Sequence, residues 1–210
     1  MNPLAPPAPA TLLASYEVAA LVAGERHWRD RGDWESMAQA YHGESWVRLA
    51  WFEGTGAEFV EASRSGGRGG TTRHRLSPSV VCVRGGRAVA ETGVLVETRT
   101  AHSGIAVDLT VACRYLTLLR RDGGIWRISR VETICERDAI APVMPGEVLE
   151  MDPQRLARYR PSYRFLSYSL SCNGIDPPPD LPGDDRPDLC APLYQAAEDW
   201  LAAASNGSGV

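Results

Sequence analysis

A chain of 210 residues with 44% hydrophobic side chains is long enough to bury a full core, in one domain with an appendage. Its formal charge of −4 argues against nucleic acid and anionic membrane surfaces as partners. No apolar run reaches the roughly 18 residues a membrane span needs, and the N-terminus lacks the pattern of a signal peptide, so a cytoplasmic protein is expected.

Met1 to Ala10 carries four prolines and is expected to be a disordered arm, residues 1–10. A first helix is predicted from Thr11 to Arg31. Leu12, Tyr16, Ala19 and Ala23 recur at steps of four, three and four, and at 100° per residue they share a face with Asp30. A carboxylate in a core-facing line is unusual, because Asp is rarely buried without a partner. Gly32 supplies a stop, and Asp33 an N-cap for a second helix from Trp34 to Tyr41.

Ser45 to Phe52 alternates as a half-buried strand, with Val47, Leu49 and Trp51 on one side. Glu53 to Gly56 reads as a turn, and Ala57 to Ser63 as a third short helix. Arg64 to Thr72 holds four glycines. It lacks the Gly-Lys-Ser/Thr ending of a phosphate-binding loop and the strand–helix context of a dinucleotide site, so a mobile loop is expected.

From Thr72 the pattern changes to long strands and tight turns. Thr72–Arg84, Arg87–Thr98, Ala106–Arg121 and Ile125–Glu136 are predicted strands, with Gly85-Gly86 and Asp122-Gly-Gly124 as hairpin turns. Together they predict an antiparallel meander with helices packed on its concave face, an α+β layout. In the third of these strands Val107, Leu109, Val111, Cys113 and Tyr115 line one side without a charge, which suits either a ligand cavity or an ordinary core.

After Glu136 the chain is expected to run extended to Pro145, then to form short helices opened by Asp152-Pro153 and by Arg160-Pro161. Asp176 to Asp188, rich in proline and aspartate, reads as a semi-rigid strap. A last helix over Leu189–Ala203 carries Leu193, Ala197, Trp200 and Leu201 as its apolar stripe. The predicted division is a domain over 11–141, an extension over 142–204 packed on it, and a flexible tail over 205–210. The aromatic side chains of the extension are too many to leave in water, so it is expected to be a structural strap with part of Arg160–Ser171 near a cavity rim.

Five cysteines without paired spacing make neither a disulfide framework nor a metal cluster. Of the four histidines, His27, His42, His74 and His102, no two have ligand spacing. No metal and no cofactor are therefore expected.

The run Asp30-Arg31-Gly32-Asp33-Trp34, the strand opening Thr72-Arg73-His74 and the segment Gly124-Ile125-Trp126-Arg127-Ile128 resemble the scytalone dehydratase and SnoaL-like group of the nuclear transport factor 2-like superfamily. The resemblance covers about residues 12 to 136. It implies a cone-shaped barrel of curved antiparallel sheet closed by N-terminal helices, with a homodimer or homotrimer as the expected assembly. It also implies a catalytic set of Asp30, His74 and His102, the Asp–His pair being shared with hexachlorocyclohexane dehydrochlorinase. Tyr16, His27, Trp51, Cys113 and Tyr115 are the candidate substrate-contacting residues. The sequence departs from the dehydratase pattern where assisting tyrosines would stand, since Arg29 and Leu49 or Trp51 lie there; Cys113 and Tyr115 also differ in type from the dehydratase's polar contacts.

An Asp that accepts a hydrogen bond from one imidazole nitrogen fixes the tautomer and makes the other nitrogen more basic. Such a base in an apolar cone can remove a proton beside a carbonyl or leaving group. The first expectation is thus a lyase or isomerase acting on a small hydrophobic, cyclic or polyketide-like substrate. Two others stand beside it: a non-catalytic ligand-binding or subunit-type cone, as in the small subunits of ring-hydroxylating dioxygenases, and a polyketide-type cyclase using Asp30 with a different partner.

Overall fold

The computed structural model describes residues 8–66 and 71–206. The chain opens with helix α1, Pro9–Arg31, begun by a proline where a missing N–H costs nothing and closed by Gly32 in the left-handed region at φ 74°. The helix therefore starts before Thr11, inside the segment expected to be a disordered arm; residues 1–7 lie outside the described part. Helix α2, Trp34–Gln39, is capped by the Asp33 side chain, which accepts from the Ser36 N–H at 3.1 Å. Tyr41, expected to end this helix, instead begins strand β1, Tyr41–Leu49.

Strand β2, Phe52–Thr55, pairs antiparallel with β1, so the segment expected to be a turn is part of a hairpin. Helix α3, Gly56–Ser65, begins with a reciprocal capping box between Thr55 and Glu58. Strands β3, Thr71–Leu76, and β4, Val80–Arg84, follow in place of one continuous strand. The Ser77-Pro78-Ser79 segment separates them, since proline cannot donate to a ladder. Both pair with β5, Arg87–His102, which continues the meander into β6, Ile105–Asp122, and β7, Ile125–Pro142. The last three strands run longer than expected, β5 reaching His102 and β7 passing through the charged residues Glu136 to Asp138.

The seven strands form one curved sheet in the order β2-β1-β7-β6-β5-β3, with β4 also on β5. It does not close into a barrel, and it is mixed rather than wholly antiparallel, because β1 lies parallel to β7. Helices α1 and α3 cover one face. Val18, Met37, Val47, Phe59, Ala88, Ala90, Leu119 and Ile128 are sealed there, and Phe59 meets Tyr41, Trp51 and Phe52 with ring centroids 5.2–6.2 Å apart.

The inner stripe of α1 is not the expected one. Leu12 and Tyr16 are 59% and 72% exposed, while Ala14, Val18, Val22 and Arg26 are buried. These four recur at steps of four, and the next step lands on Asp30, so the carboxylate sits at the end of the buried line by a different route. Glu25 and Arg26 are both buried and pair with one another, and the Tyr41 hydroxyl donates to Glu25 at 2.7 Å.

Beyond Pro142 the chain forms α4, Pro153–Leu156, a 3₁₀ turn over Pro161–Tyr163, α5, Arg164–Cys172, and α6, Pro187–Ala202. A further 3₁₀ turn spans Ala203–Asn206, so part of the expected tail is ordered, and residues 207–210 lie outside the described part. Helix α6 lies on the sheet face opposite α1, where Ala197, Leu193 and Trp200 cover Val89, Leu116 and Leu118. Leu181 and Tyr163 pack with Ala50 and Cys135. Gly183 bridges to Cys135, and a Cβ on it would lie 2.8 Å from the Cys135 carbonyl oxygen, so only glycine fits. Helix α5 docks on β7 through Asp138, whose carboxylate accepts the Leu166 N–H at 2.7 Å. Burial pushes the Asp138 carboxyl up to about 6, against the backbone N–H groups at the start of α5 that favour its charge.

Removal of everything after Pro142 would bare Leu116, Leu118 and Cys135. At about 1.5–3 kcal/mol for each apolar side chain exposed, the loss is a large share of the roughly 5–15 kcal/mol that a marginally stable domain carries. The truncated chain should aggregate or bind a hydrophobic dye strongly, as size-exclusion chromatography and dye fluorescence would report; a monodisperse, dye-silent product would contradict it.

Candidate active site

Asp30 lies in the last turn of α1, where the helix dipole opposes a negative charge. His74 sits in the middle of β3, and its N–H points away from β5 toward α1. The two residues meet twice: Asp30 Oδ1 is 2.7 Å from His74 Nδ1, and Oδ2 accepts the His74 backbone N–H at 2.7 Å. Burial works against the Asp30 charge, but the His74 hydrogen bonds and the nearby Arg29 outweigh it and hold the carboxyl below its usual value. The His74 imidazole is pushed down, by burial first and by the charges of Arg26 and Arg29, with Asp30 pulling the other way. A carboxylate beside a neutral imidazole follows, with the ring proton on Nδ1 and the lone pair on Nε2.

His74 also lines a cavity of about 200 Å³. Its inner wall is built from the same-face residues Val96, Thr98 and Thr100 of β5, Leu109, Val111, Cys113 and Tyr115 of β6, and Thr133 and Cys135 of β7. Four of the five residues whose alternation marked β6 as uncharged on one side therefore face this space, and Val107 is buried as well. Trp51, Leu49 and Ala62 close one end. Leu166, Ser169 and Leu170 of α5, with Asn173, form the outer lip. Among the described residues no group of three or more acidic, histidine or cysteine side chains is placed to hold a metal ion.

Burial pushes the Cys113 thiol up to about 12 and raises the Tyr115 hydroxyl as well, so both stay protonated at neutral pH. A neutral, buried thiol is not a nucleophile.

The other sequence candidates fall elsewhere. His102 is the last residue of β5, not part of a connecting loop, and is six residues beyond Val96, the register partner of His74. That is roughly 20 Å along the strand. It is buried under α5, with Nε2 3.1 Å from the Ser169 hydroxyl and its ring 6.1 Å from that of Tyr168, and it does not line the cavity. Tyr16 is exposed on α1, roughly 21 Å before Asp30 along the helix axis. His27 is exposed on an open groove that Ala23, Asp30, Arg31, Arg73 and His74 also line, and it does not line the cavity. Of the five substrate-contact candidates, Trp51, Cys113 and Tyr115 line the cavity and Tyr16 and His27 do not.

Some lining residues were missed. Thr98 and Thr100 carry a readable signal, the same alternation on β5 that marked β6. Leu166, Ser169 and Leu170 fall within the Arg160–Ser171 segment expected near a cavity rim, whereas Asn173, just beyond it, carries no local signal.

A curved sheet with helices packed on one face is the arrangement of a known group, and the sequence places the chain in it. Residues 10–132 match the SnoaL-like domain, and the chain belongs to that family. Over 201 residues it is 28% identical to pea pathogenicity protein 2 of Fusarium vanettenii, covering 90% of this chain and 86% of that one. Among solved structures it is similar to a candidate scytalone dehydratase from Novosphingobium aromaticivorans, with a TM-score of 0.54 and 17% identity over 66% of this chain and 97% of the other. A type 2 hexachlorocyclohexane dehydrochlorinase gives a TM-score of 0.55 at 12% identity, over 68% and 95% of the two chains. At these identities the solved structures establish a common fold.

At neutral pH the nitrogen NMR shifts of His74 should report a proton on Nδ1 and a free Nε2. Asp30→Asn should lose that preference and mix the tautomers, because an amide can donate as well as accept. An unchanged His74 spectrum in the variant would mean that Asp30 does not set the tautomer.

Proposed function

We propose that this protein is a lyase or isomerase in which His74 Nε2 removes a proton from a small hydrophobic, cyclic substrate. The observation that carries the reading is the 2.7 Å contact of Asp30 Oδ1 with His74 Nδ1, on a histidine that lines an apolar cavity. With Nδ1 occupied by Asp30, Nε2 is the nitrogen left for a ligand. A lowered imidazole pKa keeps it unprotonated at pH 7, the state a general base needs.

The dimensions agree with a small ring. An engineered cavity of about 150 Å³ in another protein takes benzene, so about 200 Å³ suits one ring with substituents or two fused rings. Threonine and serine hydroxyls around the wall can orient a carbonyl or hydroxyl without adding charge. Isomerisation needs only the base that takes the proton and returns it. Elimination also needs a donor for the leaving group, and either the His74 imidazolium or the neutral Tyr115 hydroxyl can serve. The similar folds include proteins named for eliminations, a dehydration and a dehydrochlorination, which supports this class over a binding module.

The test uses cyclic ketones and β-hydroxy ketones in deuterium oxide, with mass spectrometry reading exchange of the carbon-bound proton. The parent protein should accelerate exchange, and His74→Ala should lose on the order of 10²–10⁴ of that rate while keeping its fold. Equal exchange by the variant would place the base elsewhere. The rate should also fall as pH drops through the His74 pKa, which lies below the ordinary value of about 6.5. A profile that loses activity already above that value would contradict a lowered imidazole.

A further inference from the structure

The cavity wall contains one formally charged side chain among the described residues, Arg29, and no Asp or Glu. Its side chain is 16% exposed and its guanidinium stands over the Trp51 ring, 5.7 Å from the centroid. The nearest carboxylate is Asp30 at 3.7 Å, too long for a hydrogen bond, and both Asp30 oxygens are already taken up by His74. Arg29 Nε is out of solvent and has no hydrogen-bond partner among the described residues. Arg26, the next cation, is by contrast paired with Glu25.

A buried donor without an acceptor is costly, and a cation in an apolar cavity more so. Burial and the like charge of Arg26 both press on the Arg29 guanidinium, yet arginine does not give up its proton in proteins. The side chain lines the cavity and is 16% exposed, so an oxygen on a bound ligand can replace water as the acceptor of its terminal N–H groups. Arg29 is the neighbour of Asp30 in sequence and shares the cavity with His74, so an oxygen seated on the guanidinium would lie on the same molecule from which His74 takes a proton.

We infer that Arg29 is an oxyanion-binding residue, and that the cavity prefers a small planar ring bearing an anionic oxygen over its neutral counterpart. Two chemical sources can supply that oxygen: a carboxylate already present on the substrate, or the enolate formed when a carbon-bound proton leaves for His74 and its electron pair moves onto the adjacent carbonyl oxygen. The inference deepens the general-base reading and rests on it for the reaction, while the binding preference stands by itself.

Binding of benzoate against benzamide, measured by calorimetry at one mildly alkaline pH, tests the carboxylate source. Binding of 4-nitrophenol, read from its phenolate absorption against nitrobenzene, tests the enolate-like source. At least one anion should bind roughly tenfold to a hundredfold tighter than its neutral partner, the range of a hydrogen bond to a charged group. Preference for benzoate identifies a carboxylate substrate, and preference confined to the phenolate identifies the enolate. Arg29→Met should bring the ratio close to one and leave neutral-ring affinity within a few-fold, and Arg29→Lys should retain part of the preference. The inference is overturned if the parent favours neither anion or if a folded Arg29→Met keeps the ratio. Should the methionine variant not fold, the parent's own ratio and that of Arg29→Lys decide. His74→Ala should keep the anion preference, so lost deuterium exchange with a retained preference marks the base reading alone, and the reverse marks the anion site alone.

Discussion

One carboxylate, that of Asp30, answers two N–H groups of a single residue on another element. The arrangement sets both the position of the helix and the state of the histidine. A negative charge in the last turn of α1 is opposed by the helix dipole, by roughly 0.3–1 kcal/mol at ordinary exposure. Two hydrogen bonds to an ionised acceptor outweigh that cost. The backbone N–H involved belongs to β3, which stands at the edge of the sheet, so the same contact satisfies a donor that would otherwise invite a foreign strand. Helix placement, edge protection and imidazole tautomer are thus not separable properties here.

The charges around that pair are arranged by burial. Arg26 sits inside the helix–sheet interface over the rings of Phe59 and Tyr115, and its charge is met by Glu25, which Tyr41 also satisfies. This neutralised group lies one turn before Arg29 and Asp30. Burial is the first cause of the neutral imidazole at His74, and Arg26 and Arg29 add to it against the pull of Asp30, with no acidic side chain in the cavity wall. Cys113 and Tyr115 contribute hydrogen-bonding groups that burial keeps uncharged.

How much could be read from the chain alone divides by the range of the interaction. The strand face of Val107 to Tyr115, the hairpin turns and the caps at Asp33 and Gly32 depend on neighbours a few residues away, and periodicity finds them. Asp30 and His74 were marked by short motifs, yet the face that should have carried Asp30 inward was misjudged. Alanine suits either side of a helix, and with Glu25 and Arg26 on the inner side, hydropathy pointed at Leu12 and Tyr16. Pro78 splits the first long strand, and the charges of Glu136 to Asp138 hid the continuation of β7, whose partner on β6 keeps it in the sheet. The parallel contact of β1 with β7 and the bed of His102 beneath Ser169 both join segments far apart in sequence. No local pattern encodes them.

The outer lip has an implication for how such proteins diversify. The Asp30–His74 pair lies within residues 10–132, the span that matches the SnoaL-like domain, whereas Leu166, Ser169, Leu170 and Asn173 come from a segment that follows it. The Asp–His pair and the cavity lip are therefore carried by different stretches of the polypeptide, joined by the seat of α5 on Asp138 and by Tyr163, Leu181 and Gly183 against Ala50 and Cys135. Changes in the later stretch can reshape the entrance while the geometry at residues 30 and 74 is left alone. A lineage built this way can explore new ligands by rewriting its doorway, with the hearth behind it unaltered.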